Sequence, residues 1–411
     1  MTKVSMIVWN EFLNDARVMK EAQTLQRAGY QVRVFALHTP GVTQQQAVLD
    51  DGIEVVRVAR SPLWKLRKKN QQPAVKAGGE SQQSAPVKPS LKLLVLRAVS
   101  RGWTHLALLF KMLEYRATVV HSHDVNTLPT AWLAAKLSRA RLVYDAHEIS
   151  TSREGYKSLR KVVGFVEKQL MPSANGTITT TDARAKYFAR AYGVERPLVL
   201  QNRPRLIESP PSNRIREELG LVEPWPIVLY QGGLQQGRGL EKLVRTAQHV
   251  PDCYFVLIGG GRLTQPLTQL AQELNLQHKV HFIPTVALAE LPSYTASADV
   301  GVQPIENTCL NHYTTDSNKL FEYVIAGLPV IATDFPEIRR IVRSNDIGLL
   351  VPANNEQALS RTIIQLLEDP ALRARFASNA RKTAQNLNWE SQEKCLVDLY
   401  ERVLLTHAHT R

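Results

Sequence analysis

The stretch VSMIVWNEFLNDARVMKEAQTLQRAGYQVRVFAL, residues 4–37, decides the fold. Residues 4–9 form a short apolar run of strand character, residues 15–29 read as an amphipathic helix, and residues 30–37 form a second strand. Gly29 stands where a helix must end before the chain turns into that strand. The result is a βαβ unit, whose strands run parallel and whose sheet needs helices on its faces.

The same alternation continues outward. Strand-like runs at residues 118–123, 141–148, 175–180 and 197–202 alternate with helices at about 126–137 and 182–192. The proline-rich NRPRLIESPPSNR, residues 202–214, interrupts it and reads as an inter-domain linker. Beyond it, strands at 226–233, 253–261, 280–284 and 299–305 alternate with helices at 240–249, 267–274 and about 289–296. The expected class is α/β, with two doubly wound, Rossmann-like domains at residues 1–203 and 204–388 facing across a cleft. A last helix within residues 389–411 carries Leu396, Leu399, Tyr400, Val403 and Leu404 on one face and is expected to pack as core or cross back to the first domain.

Composition narrows the function without naming it. At 411 residues, 44% hydrophobic and 21% charged, the chain is a folded type with room for two cores. A net charge of +14 demands an acidic partner: nucleic acid, anionic lipid or a phosphorylated small molecule. No helix-turn-helix, zinc or RNA-binding signature is present, which argues against nucleic acid. Cys253, Cys309 and Cys395 are scattered and read as reduced thiols. No apolar run approaches the ~18 residues of a membrane span, and the N-terminal residues do not read as a signal peptide, so a cytoplasmic chain is expected.

Residues 61–100 break the alternation. They are rich in Gln, Ser, Pro and Lys, with eight Lys and Arg against one acid, Glu80, and lead into the apolar LKLLVLRAVSRGW. This is either a solvated insertion or a basic, partly amphipathic element suited to an anionic membrane surface, with Trp64, Lys65, Arg67, Lys68 and Lys69 at its start.

Three stretches of the second half can present backbone amides to an anion. In YQGGLQQGRGLEKL, residues 230–243, Gly232 and Gly233 turn the strand end, and Arg238 sits between two further glycines where a helix begins. A guanidinium there donates to two phosphate oxygens at once. IGGGRL, residues 258–263, places Gly260 after another strand. In TTDSNKLFEYVIAGLPVI, residues 314–331, Ser317, Asn318, Lys319 and Leu320 stand at a helix start, whose first amides lack partners in the helix. Glu322 lies about one turn further in. Such a carboxylate can accept two hydrogen bonds from a vicinal diol such as ribose, or can simply complement the helix dipole.

In the first half, HSHDVNTLP holds His121, His123 and Asp124 at one strand end, and YDAHE holds Asp145, His147 and Glu148 at the next. These groups span two strand ends and lack the i, i+4 spacing of a helical zinc site. Hydrogen bonding to a polar substrate, or mutual structural satisfaction, is expected here rather than metal binding.

The motifs DARVMKEAQTLQRAGYQVRV, VVHSHD, YDAHE, YQGGLQQGRGLEKL and NKLFEYVIAGLPVIATDFPE occur in that order. On them, the chain resembles the bacterial family 4 glycosyltransferases of the GT-B fold over everything except residues 61–100. The resemblance implies retaining transfer of a sugar from a UDP- or GDP-linked donor, with no essential metal or other cofactor. It also implies a lipid-linked or cell-surface glycan acceptor, with the basic protein held peripherally at the inner face of the membrane. By motif, Glu322 holds the ribose, Arg238 stands at the family's phosphate-binding lysine, and the amides of Ser317, Asn318, Lys319 and Leu320 hold the diphosphate beside Gly232, Gly233 and Gly260. His123 resembles the first-domain histidine near the reacting sugar, and Asp124, His147, Glu148 and Asp316 are candidate substrate contacts.

Two departures stand out. The family pairs its glutamate with another eight positions earlier, where this chain has Thr314; Asp316 is the nearest acid to contact the donor sugar in its place. The arginine that usually precedes the phosphate-binding lysine by five is Gly233 here. The alternatives are a catalytically inactive GT-B scaffold, or nucleotide-binding module at the membrane surface, and a nucleotide-sugar epimerase of the same fold, which the ordered motifs fit less well.

Overall fold

The computed structural model describes residues 1–60, 91–207 and 210–405. The expectations placed on Trp64, Lys65, Arg67, Lys68 and Lys69 lie outside the described residues.

The first sheet has eight strands: β1 (Lys3–Ile7), β2 (Gln31–His38), β3 (Gln46–Val48), β4 (Glu54–Ala59), β5 (Val119–His123), β6 (Arg141–Ala146), β7 (Gly176–Thr179) and β8 (Leu198–Val199). Their order is β3-β4-β2-β1-β5-β6-β7-β8. Every described pairing is parallel except that of β3 with β4. That antiparallel edge departs from the all-parallel expectation, because three residues are too few to show a period. The sheet is covered by α1 (Ala16–Arg27), α2 (Leu91–Tyr115), α3 (Asp124–Ser138), α4 (Arg160–Leu170) and α5 (Asp182–Tyr192).

After the linker and α6 (Arg214–Leu219) the pattern restarts. The strands are β9 (Ile227–Gln231), β10 (Tyr254–Ile258), β11 (Val280–Ile283), β12 (Val300–Gln303), β13 (Val330–Thr333) and β14 (Gly348–Val351), ordered β11-β10-β9-β12-β13-β14 and all parallel. Every residue of β9 and β10 is buried, as strands covered on both faces must be. The covering helices are α7 (Leu240–Thr246), α8 (Thr264–Glu273), α9 (Leu291–Thr295), α10 (Leu310–Tyr313), α11 (Asn318–Ile325), α12 (Pro336–Asn345), α13 (Glu356–Glu368) and α14 (Pro370–Ala384).

In both sheets the winding reverses beside the first strand of the domain, between β1 and β5 and between β9 and β12. Ligands of doubly wound sheets sit at the carboxyl ends of the strands at this reversal, so the topology alone locates two half-sites. The last helix, α15 (Glu390–Leu405), returns to the first domain. Leu396, Leu399, Tyr400 and Val403 enter one core with Val18, Ala22 and Leu25 of α1, and Trp389 Nε1 donates to Thr24 Oγ1 at 2.9 Å.

Candidate active site in the interdomain cleft

The two half-sites open onto a common cleft of about 660 Å³. A second hollow of about 610 Å³ adjoins it along Asn10, Glu11, Phe12 and Leu13, in the loop after β1.

On the second-domain side, two glycine loops form the floor. Gly259 has φ +140, and a Cβ there would lie 2.1 Å from Gly232 O, so only glycine fits. Gly232 N donates to Ile258 O at 2.9 Å and Leu234 N to Gly260 O at 3.1 Å, which locks the loops after β9 and β10 together. Gly232, Gly233, Gly260 and Arg238 all line the cleft.

The start of α11 stands over this floor. Ser317 is held at φ +56, a conformation costing about 1–3 kcal/mol outside glycine, and makes no side-chain cap bond. Of the four amides expected to face an anion, two are engaged: Ser317 N donates to Thr315 Oγ1 at 3.1 Å and Leu320 N to Ser317 O at 3.2 Å. The anion site at this helix start therefore narrows to Asn318 and Lys319, whose amides have no partner inside the helix.

Lys319 reaches back across the glycine floor. Its Cε is 3.5 Å from where a Cβ on Gly232 would be, its ammonium lies 5.1 Å from the Tyr230 ring centroid, and Nζ donates to Ser317 Oγ at 3.2 Å. Burial, and then repulsion from Arg238, bring its pKa down to about 7 against a smaller opposing pull from Glu322. Two cations thus converge on one small space, an arrangement that an anion would relieve.

Glu322 is aimed by its neighbours. Gln231 Nε2 donates to Glu322 Oε2 at 2.6 Å, and Thr295 Oγ1 donates to Gln231 Oε1 at 2.9 Å, which fixes the amide's orientation. One residue on, Tyr323 lies flat on Gly301, where any Cβ would be 2.4 Å from the ring, and its hydroxyl donates to Leu229 O at 3.0 Å. α11 is thereby pinned to the sheet with Glu322 at the cleft wall.

The first-domain side is a buried ionic cluster. Arg17 Nε and Nη2 donate to Asp145 Oδ2 and Oδ1 at 2.8 and 2.9 Å, and Nη1 donates to Leu200 O at 2.7 Å. His147 Nε2 lies 3.0 Å from Asp145 Oδ2 and 3.3 Å from His123 Nδ1. Burial opposes charge on Asp145, but Arg17 and His147 hold it well below the ordinary carboxylate range. Burial likewise opposes charge on His147, yet Asp145 and then Asp124 raise it to about 9. His147 is therefore an imidazolium at neutral pH, a donor rather than a base.

His147 lines the cleft, whereas His123 is 3% exposed and lies behind it. Of the two imidazoles, the one at the cleft surface is thus His147. Glu148 also lines the cleft, while Asp124 pairs with Arg153 at 3.2 Å. Glu21, His121, His123 and Asp145 bring ligand atoms within 4.8 Å of one another. Arg17 Nε stands 3.1 Å from Glu21 and 2.8 Å from Asp145, and so pairs with two of these four residues.

The domains are joined at the first of the two departures. Arg184 Nη1 donates to His147 O at 2.6 Å, Nη2 to Asn311 O at 3.0 Å and Nε to Thr314 Oγ1 at 3.3 Å. Thr314 is thus a bridge between domains. Asp316 lines the cleft but accepts from Gln201 Nε2 at 2.7 Å, and burial raises its pKa despite that bond.

Against known proteins, the model described as glycosyl transferase 4-like domain matches residues 15–203, and that for glycosyl transferases group 1 matches residues 211–383. The chain belongs to glycosyltransferase family 4. It is 24% identical to a D-inositol 3-phosphate glycosyltransferase of Xylanimonas cellulosilytica over 93% of this chain and 90% of that one. Among solved structures it is similar to sucrose-phosphate synthase from Thermosynechococcus elongatus, with TM-score 0.79, 21% identity and coverage of 99% and 100%. It is also similar to Anabaena HepE in complex with UDP-glucose, with TM-score 0.72, 19% identity and full coverage of both chains. The fold is GT-B and the protein is a glycosyltransferase.

Arg17, Arg184 and Gln231 line the cleft and were not expected there. A signal existed for the first: Arg17, Glu21 and Thr24 recur at i, i+4 and i+7 beside the apolar Val18, Ala22 and Leu25, so polar groups share the helix's inward face. Arg184 and Gln231 carry no comparable local pattern.

Proposed function

We propose that this glycosyltransferase takes a sugar from a UDP- or GDP-linked donor and transfers it, with retention and without an essential metal, to a lipid-linked or glycan acceptor at the cytoplasmic face of the cell envelope. The observation that carries the reading is the convergence of Arg238, Lys319 and the open amides of α11 on one space, with Glu322 one turn away. Diphosphate fits between the cations and ribose fits Glu322. The UDP-glucose bound to HepE, on the same fold, agrees with that choice.

In the mechanism, Arg238 and Lys319 stabilise the charge that gathers on the leaving diphosphate as the glycosidic bond breaks. The acceptor hydroxyl attacks from the face the diphosphate vacates, and a diphosphate oxygen takes its proton. The charged His147 donates to a sugar or acceptor oxygen and stays protonated. Titration with UDP and GDP tests the reading, with saturable binding of at least one expected and binding of neither overturning it. Thr314, engaged in the domain bridge where the family has an acid, favours a second reading: a nucleotide-binding module without transfer. Hydrolysis of a nucleotide sugar by the wild type would exclude it.

Lys319 makes binding pH-dependent. The free protein loses this charge as pH rises through about 7, while a bound anion retains it, so binding takes up a proton. Affinity for UDP is expected to fall by up to about tenfold per pH unit above neutrality. The groups facing the ammonium are Arg238, Glu322, Ser317 and the Tyr230 ring. Lys319→Arg should flatten the profile, whereas Lys20→Met, at another lysine brought to about 7 by burial, should leave it. A flat wild-type profile would remove Lys319 from the site.

A further inference from the structure

α2 has two apolar faces. Thr104, Leu108 and Met112 face the core and are buried. Val95, Val99, Trp103, Leu106 and Phe110, spaced by four, four, three and four residues, form a stripe on the other side, and each is between 44% and 64% exposed. A second stripe runs beside it. Leu159, just before α4, and Val162 and Phe165 within it are 50–64% exposed. α3 packs between the two helices on the same side of the sheet and adds Leu137, 60% exposed. Scattered exposed apolar residues need no explanation, but large ones gathered on adjacent elements do.

The charges that α2 and α4 set beside these stripes are basic. Lys92 and Arg97 flank the first, and Lys157, Arg160 and Lys161 flank the second, all exposed. The acids of α2 and α4 are Glu114, paired with Lys111 at the far end, and Glu167, which is buried against Tyr144 and Tyr192. Two copies docked through this face would oppose cation to cation across it. A partner of apolar body and anionic surface fits both features. Among the described residues no helix is long and apolar enough to cross a membrane, so the face can only lie on one.

The face is tied to elements that border the cleft. Arg101 of α2 donates to Asn126 at 3.3 Å, Tyr156 ahead of α4 donates to the same side chain, and Asn126 is in the first turn of α3, two residues after Asp124. Trp9, just after β1, stacks on His105 of α2 at 4.3 Å. We infer that the outer surface of α2 and α4 is a docking face for an anionic lipid bilayer, seating the first-domain end of the cleft at the headgroups. The inference rests on the proposed membrane acceptor for its purpose, but not for its test.

Co-sedimentation with vesicles of phosphatidylcholine and phosphatidylglycerol, and with phosphatidylcholine alone, needs neither donor nor acceptor. Wild type is expected to prefer the anionic vesicles and to lose binding with salt. The pairs Val99→Glu/Phe110→Glu and Val162→Glu/Phe165→Glu should each reduce binding by about tenfold or more, and Arg97→Gln/Arg160→Gln by a smaller factor. All these positions are exposed, so melting temperature and UDP affinity should stay at wild-type values. Wild-type vesicle binding by both glutamate pairs would overturn the inference. So would a wild-type dimer, seen by sedimentation velocity, that these substitutions convert to monomer. Loss of UDP binding by the wild type would overturn the proposed donor and leave this result standing.

Discussion

Arg17→Met is expected to cost the fold about 3–5 kcal/mol, the usual penalty for stranding one member of a buried ion pair. Asp145 is fully buried and takes both carboxylate oxygens' strongest contacts from this one guanidinium, at 2.8 and 2.9 Å. Without it the carboxylate keeps only His147 and His123, and Leu200 O loses its donor. Glu21 does not replace the charge balance: burial, and then repulsion from Asp145, raise its pKa well above the ordinary range. Chemical denaturation would read the loss, and Arg17→Met combined with Asp145→Asn should recover at least about 2 kcal/mol as the coupling between neighbours. A single-variant cost under about 1 kcal/mol would mean that the guanidinium is not what keeps Asp145 ionised. His147 should change as well, since Asp145 is the main source of its raised pKa. Asp145→Asn should therefore bring its titration down from about 9 into the range where imidazole NMR signals follow it easily.

The alternation of strands and helices was legible because parallel strands covered on both faces are continuous apolar runs, as in IVLYQ and YFVLI. β3 was not, being three residues at an edge, and the glycine loops were visible only as composition until Gly259 was seen pressed on Gly232. The ionic cluster stayed hidden for a different reason. Arg17 and Asp145 are 128 positions apart, and nothing local distinguishes an inward arginine on an amphipathic helix from one that snorkels to solvent. The same limit applies to the histidines. Both strand ends carry one, and only packing decides that His147 faces the cleft while His123 lies beneath it. Glu322 and Lys319 were recognisable by their place at a helix start, but Gln231 and Thr295, which orient the carboxylate, come from other elements.

Glu322→Ala is expected to lower kcat/KM for the nucleotide-sugar donor by about 100-fold. A carboxylate clasping a diol makes two charge-assisted hydrogen bonds, and at about 1.5 kcal/mol each their loss is about 3 kcal/mol. About 1.4 kcal/mol is tenfold, so the two bonds together give roughly two decades. The fold should tolerate the change, because Glu322 is half-buried at the cleft wall and α11 is held by the Tyr323 hydroxyl on Leu229 O and Val302 O. Gln231→Ala leaves the carboxylate but releases its orientation, and a loss nearer tenfold is expected. A ligand comparison separates diol binding from a general electrostatic role. Wild type should bind UDP more tightly than its 2′,3′-dideoxy analogue, and Glu322→Ala should bind the two alike. Were the carboxylate only complementing the helix, both proteins would show the same preference. Because Glu322 also supports the positive charge of Lys319, its removal should move the pH profile of binding to lower pH, whereas a diol contact without that coupling would lower affinity equally at every pH.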